Sequence, residues 1–247
     1  MFPIRDHNPS GRTPFVTYAL LIANVVVFVS TWHLAASPRE LLNFYANYAL
    51  IPIFLSEGNG FTGLVTSMFL HGGLAHLAGN MLFLFIFGDN LEDEMGHIGF
   101  AAFYLAAGIA SGLFHYLSAP YSNIPTVGAS GAIAGVMGGY LLLYPKARID
   151  ILLILIIFFK IIPVPAWIML ALWFGMQLIG GIGSDPMSGG VAYWAHAGGF
   201  IAGIVLAMPT FLRLGGPRFW RQNHGQPPHA ASQYARSYTR VPRIPRR

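Results

Sequence analysis

The chain has 247 residues, of which 55% are hydrophobic and only 9% charged, with a mean hydropathy of +0.56. A soluble domain carries about a quarter of its residues as Asp, Glu, Lys and Arg. So few charges cannot cover a water-facing surface. The composition excludes a soluble globular enzyme, a disordered chain and, with 0 cysteines, a disulfide scaffold. The formal charge of +5 is no nucleic-acid signal, because eight of the 14 basic residues are arginines from Arg213 onward, in one terminal segment.

Charged residues mark out the membrane spans, since a charge at the bilayer centre costs several kcal/mol and a spanning helix needs about 20 apolar residues. After an N-terminal segment, 1–13, the uncharged window 13–38 predicts the first span and the window 58–88 the second. Between them, residues 39–60 hold the interrupted amphipathic stretch LLNFYANYALIP, expected at the outer interface. Residues 89–95 read as an acidic turn. The window 95–145 is 51 residues long and is broken by Pro120 and Pro125, so it predicts two helices, spans three and four. Residues 149–162 are apolar but run into Lys160 and Pro163, and read as an interfacial loop. Windows 161–184 and 186–212 supply spans five and six. From about Gly215 the basic tail, rich in Gln, Ser and Pro, reads as disordered. The predicted fold is an all-α polytopic bundle of six spans over 14–212, flanked by segments 1–13 and 213–247.

Arg5 and Arg12, then Lys146, Arg148 and Lys160, then the eight terminal arginines all fall on one face of a six-span chain. The positive-inside rule makes that face cytoplasmic, with both termini on it. The start lacks the apolar core and cleavage site of a removable signal peptide, so span one is expected to be a retained anchor. The expected location is a bacterial inner membrane, with anionic lipid as a candidate partner of the tail and no nucleic acid.

Polar side chains inside spans are functional suspects, because they need a partner or a water-filled cavity. The set is His71, His76, Asn80, His115, Ser130, Gln177 and His196. Spans two, four and six run in the same direction, and His76 and His196 sit roughly 10 Å below the outer surface by helical rise. From Ser130 to Tyr144 the chain makes only about 21 Å of helix, against a hydrocarbon core of about 30 Å. Ser130 therefore begins a short central helix at the same depth, and the non-helical chain leading into it implies a water cavity.

Residue types suggest the chemistry. Ser130 lies in GASGA, at a helix start whose free N–H groups, those of Ala129 and Ser130 among them, suit an oxyanion. His196 can act as general base, while His76 and Asn80, spaced i, i+4, can both donate to the oxyanion. His71 is about 140° round from His76 on a helix and takes a supporting role. No carboxylate lies at that depth, which favours a Ser–His dyad over a triad. His115 and Gln177 read as structural. Taken singly, Ser130 reads as a helix-packing residue and each histidine as an interhelical hydrogen-bond member. The shared depth of four residues from three spans makes the functional case. HGGLAH could suggest metal ligands, yet no HExxH motif occurs, and GxSxG fails because residue 132 is Ala.

The segments HGGLAHLAGNM (71–81), GASGA (128–132) and HAGGFIAG (196–203) together resemble the rhomboid intramembrane serine proteases, a likeness that runs from about residue 14 to 212. The resemblance implies Ser130 as nucleophile, His196 as base, His76 and Asn80 in the oxyanion hole, and lateral gating by span five. It implies transmembrane proteins as substrates and no cofactor or metal. Gly128 and Gly131 permit the tight turn and close packing beside the serine, and Gly199 and Gly203, spaced GxxxG, let spans four and six approach. Two positions depart from the family: the Trp–Arg pair of many members is missing from the outer loop, and Ala134 stands where relatives often carry a Tyr that packs on the base. A catalytically silent membrane chaperone is the alternative, and a His-lined transporter or metal site a third.

Overall fold

The computed structural model describes residues 2–155, 158–185 and 189–228. Helix α1 (Phe15–Thr31) runs on through a 3-10 turn, and the stretch that follows folds into short helices α2 (Pro38–Tyr48), α3 (Pro52–Ser56) and α4 (Gly63–Thr66). Helices α5 (Leu74–Met95), α6 (His97–Ser118), α7 (Ser130–Leu143), α8 (Ala166–Gly183) and α9 (Tyr193–Arg213) form the bundle, and α10 (Pro217–Asn223) follows it. Five helical segments, Phe15–Ala36 and α5, α6, α8 and α9, are long and apolar enough to cross a membrane, while apolar α7 has 14 residues.

Helix α7 is the centre of the bundle, with every residue from Gly131 to Tyr140 buried. Its composition explains how neighbours close on it: a Cβ at Gly199 would collide with the Gly131 carbonyl, one at Gly203 with the Gly135 carbonyl, and one at Gly138 with the Phe200 carbonyl. Two helices of small residues thus meet backbone to backbone, the contact that drives association where no hydrophobic effect acts between spans.

Three expectations need correction. The described residues of 149–162 are not an interfacial loop: they lie in strands β2 (Arg148–Leu155) and β3 (Phe158–Pro165), which pair antiparallel, and β1 (Phe2–Asp6) adds to β2 to make a three-stranded sheet beside the helices. The acidic residues 89–95 are no turn but the last turns of α5. The chain past Gly215 forms α10, with Trp220 Nε1 donating to the Leu142 carbonyl at 2.9 Å and Lys146 N to the Gly225 carbonyl at 2.8 Å. The rest of the disordered tail expected from the sequence lies outside the described residues.

The carboxylates at the end of α5 have structural partners. Glu92, 2% exposed, accepts from Val16 N at 2.8 Å and from both Thr17 N and Thr17 Oγ1 at 2.7 Å, and meets His97 Nδ1 at 2.5 Å. One helix thereby supplies the cap for the unsatisfied N–H groups of another, the end of a helix where negative charge is favoured. Nearby, Asp6 of β1 accepts from Tyr140 Oη at 3.0 Å and Asn90 Nδ2 at 3.1 Å. Burial first, and then the charge of Asp89, push its carboxyl up to about 7. Burial would also raise Asp150, but hydrogen bonds from His7 at 2.8 Å and Arg5 at 2.7 Å hold it below the usual carboxylate range.

Candidate active site

Helices α5, α7 and α9 begin at the same end of the bundle, and each brings a polar side chain within its first turn: His76, Ser130 and His196. His196 Nε2 lies 2.8 Å from Ser130 Oγ, a hydrogen bond between residues 66 apart in sequence. The backbone at Gly128 has φ +130, a left-handed-side value that side chains disfavour, and a Cβ there would lie 2.7 Å from His76 Nε2 and 3.5 Å from Ser130 Oγ. Only glycine lets the imidazole of His76 and the serine hydroxyl share this space. Gly128 N donates to the Ser67 carbonyl at 2.9 Å, which ties the turn to the chain just before α5. Ser130 then opens α7 directly after the fully buried Ala129, so the first N–H groups of that helix have no acceptor within it.

Asn80 follows His76 by four residues on α5; it is buried, and its Nδ2 makes no hydrogen bond among the described residues. His71 lies before α5, not on it, and the non-helical chain at 71–73 lets its ring meet that of His76 edge to face at 5.2 Å between centroids. A Cβ at Gly131 would collide with Ser111 Oγ, and that hydroxyl donates to the Ala195 carbonyl at 2.7 Å, just before His196. Ser130, His196, His76 and Ser111 border a cavity of about 450 Å³ together with His115, which meets Thr126 Oγ1 at 2.8 Å.

Sequence reasoning missed two contacts. Gln177, read as structural, has its Oε1 2.8 Å from His196 Nδ1. Trp173, not singled out, lies over the same ring at 5.8 Å between centroids and 32° between planes. Their i, i+4 spacing on span five, a strongly polar residue one turn beyond a large aromatic, was the available signal. Ala134 is fully buried in α7, and the ring of His196 is contacted from α8 instead.

A family model described as the Rhomboid domain matches residues 58–213, more than half of the chain. The chain belongs to the rhomboid family. It is 30% identical to Rhomboid protein 1, mitochondrial, of Saccharomyces cerevisiae over 194 residues, 77% of this chain and 51% of that one. It is 30% identical to RHOMBOID-like protein 4 of Arabidopsis thaliana over 261 residues, 90% of this chain and 59% of the relative. Presenilin-associated rhomboid-like protein, mitochondrial, of Homo sapiens is 28% identical over 135 residues, 54% of this chain and 34% of its own length. The chain thus spans between about a third and three fifths of the length of these relatives. Every residue of the candidate site, from His71 to Gly203, falls inside the matched domain, whereas β1 and α1 lie outside it. The chain is a polytopic, mainly helical membrane protein. These relatives are mitochondrial and plant proteins and lend no support to the bacterial inner membrane expected from the sequence.

Proposed function

We propose that this rhomboid chain is an intramembrane serine endopeptidase that cuts a peptide bond within or just outside the transmembrane helix of another protein. The observation that carries the reading is the 2.8 Å contact between His196 Nε2 and Ser130 Oγ. Ser130 Oγ attacks the scissile carbonyl carbon as its proton passes to His196 Nε2. The carbonyl oxygen becomes an oxyanion that His76, Asn80 Nδ2 and the backbone N–H groups of Ala129 and Ser130 are candidates to bind. Collapse of that intermediate breaks the C–N bond, and His196 gives its proton to the leaving amine. Water, deprotonated by His196, then attacks the acyl carbon; collapse of this second intermediate breaks the bond to Ser130 Oγ, which takes the proton back from His196 as the carboxylic acid leaves.

A helix hides its carbonyls, so the substrate is one that Gly, Pro or Ser unwinds locally near a small residue, and it enters beside α8. The basic clusters put both termini on the cytoplasmic face, across six spans with α7 as the short one, and anionic lipid is the partner of the arginine tail. A silent chaperone would not require the base–serine contact. Incubation with a single-span substrate in detergent, with and without a metal chelator, tests the reading. Cleavage unaffected by chelation is expected; no cleavage by the folded protein of any substrate with an unwound, small-residue site would overturn it.

A further inference from the structure

Gln177 sits on α8, 7% exposed, between two fixed partners. Its Nε2 donates to the Trp173 carbonyl at 3.2 Å, and its Oε1 faces His196 Nδ1 at 2.8 Å. A backbone carbonyl can only accept, so the amide nitrogen must face Trp173 and the amide oxygen must face the imidazole. An oxygen that can only accept then requires a hydrogen on Nδ1. A neutral imidazole carries one hydrogen, so Nε2 is left with its lone pair, and it is Nε2 that faces Ser130 Oγ. The Trp173 carbonyl, four residues back on the same helix, thereby dictates which nitrogen of His196 is basic.

We propose that Gln177 is the positioning residue of this site, holding His196 in the tautomer that can take the serine proton, in the place that a carboxylate fills in a triad. The proposal rests on the serine-protease reading above. A neutral amide orients the ring without sharing its positive charge, which separates it from an aspartate in function. Trp173 supports the same ring by its face and itself packs on Phe200 at 6.1 Å, so both grips on the base come from α8. The opposite side of α8 carries exposed Leu172, Met176, Ile179 and Ile182, which leaves the helix packed along one side only. A movement of α8 that lengthens the Gln177 bond past about 3.5 Å therefore releases the tautomer.

The test uses the full chain in detergent micelles, with turnover of a single-span substrate and the nitrogen NMR shifts of the His196 ring read side by side. The parent is expected to show hydrogen on Nδ1. Gln177→Leu should lose that preference and lower kcat by about 10- to 100-fold, the scale seen when the partner of a metal-bound histidine is removed, with KM unchanged. Gln177→Glu should restore much of the turnover and move the acid limb of the kcat–pH profile upward by about one unit, because a carboxylate beside the ring favours imidazolium. Should Gln177→Leu fail to fold, Gln177→Asn, whose amide stops short of the ring, carries the same readouts. A folded variant with hydrogen still on Nδ1 and parental kcat overturns the proposal. A parent that neither cleaves nor reacts with a fluorophosphonate at Ser130 would overturn the protease reading, while the tautomer measurement still judges Gln177.

Discussion

At the end of the bundle where α5 and α7 finish, Glu92 accepts from Val16 and twice from Thr17, and Asp150 is held by Arg5 and His7. At the end where the same helices begin, Asn80 keeps a buried donor with no acceptor among the described residues, and the first N–H groups of α7 have none within their helix. The first arrangement uses polar groups to fix helix to helix and strand to strand. On the proposed mechanism, the second holds them in reserve, at a cost in stability, for the charge of an oxyanion. One helix, α5, serves both purposes: His76 and Asn80 near its start, Glu92 near its end.

Four experiments break or sharpen this contrast. The largest effect belongs to the dyad: Ser130→Ala and His196→Ala should each abolish cleavage, and the double variant should be no worse, because members of a catalytic unit are not additive. Residual cleavage in either single variant, measured against a model substrate, would move the chemistry elsewhere. Next come the reserved donors. His76→Ala or Asn80→Ala should reduce turnover by about 10²- to 10³-fold while the protein stays folded; parental turnover in both would leave oxyanion binding to backbone groups alone.

At the opposite end the sign reverses, with stability lost and chemistry spared. Glu92→Gln puts an amide donor where two N–H groups now find a carboxylate, and should lower unfolding stability by about 2–4 kcal/mol while low-temperature turnover stays parental. An unchanged thermal midpoint in detergent would show that α1 does not depend on this cap. The smallest effect is one of pH. Asp6 has its carboxyl pushed up to about 7, so the folded state holds a proton that the unfolded chain has already released above about 4. Its contribution is full below the unfolded value and is lost as pH rises through about 7. Asp150, held low, contributes above its unfolded value and fails only in stronger acid. Asp6→Asn should therefore flatten the fall in thermal midpoint between about pH 4 and 7; an unaltered slope would assign that fall to other groups.

Much of the bundle was legible because charges fix where a chain can leave the bilayer. The window 95–145 needed two helices, and α6 and α7 occupy it. The short run from Ser130 to Tyr144 foretold the 14 residues of α7. Charges do not mark where a helix ends, however, so α5 continues through 89–95 once its carboxylates find N–H groups to bind. The run from Ile149 to Pro163 escaped a strand reading because a continuous apolar stretch suits a buried strand and a membrane-associated segment alike. Its many isoleucines were the hint, but its partner β1 is far away in sequence. At the site, residue types and helical spacing pointed to Ser130, His196, His76 and Asn80. Gln177 escaped because a glutamine in a span is more often a helix-packing group, and only the position of α8 shows which ring it meets.

The sheet also sets an order on synthesis. Arg5 and Asp150 are 145 residues apart and belong to adjacent strands. When α1 and α5 emerge from the ribosome, β1 has no strand to pair with, and it must wait, with Asp6 still hydrated, until β2 has been made. Closure of the sheet therefore cannot precede synthesis of β2, and a bulky fusion at the amino terminus would be felt at that step, once the helices that carry His76 and Ser130 have been translated.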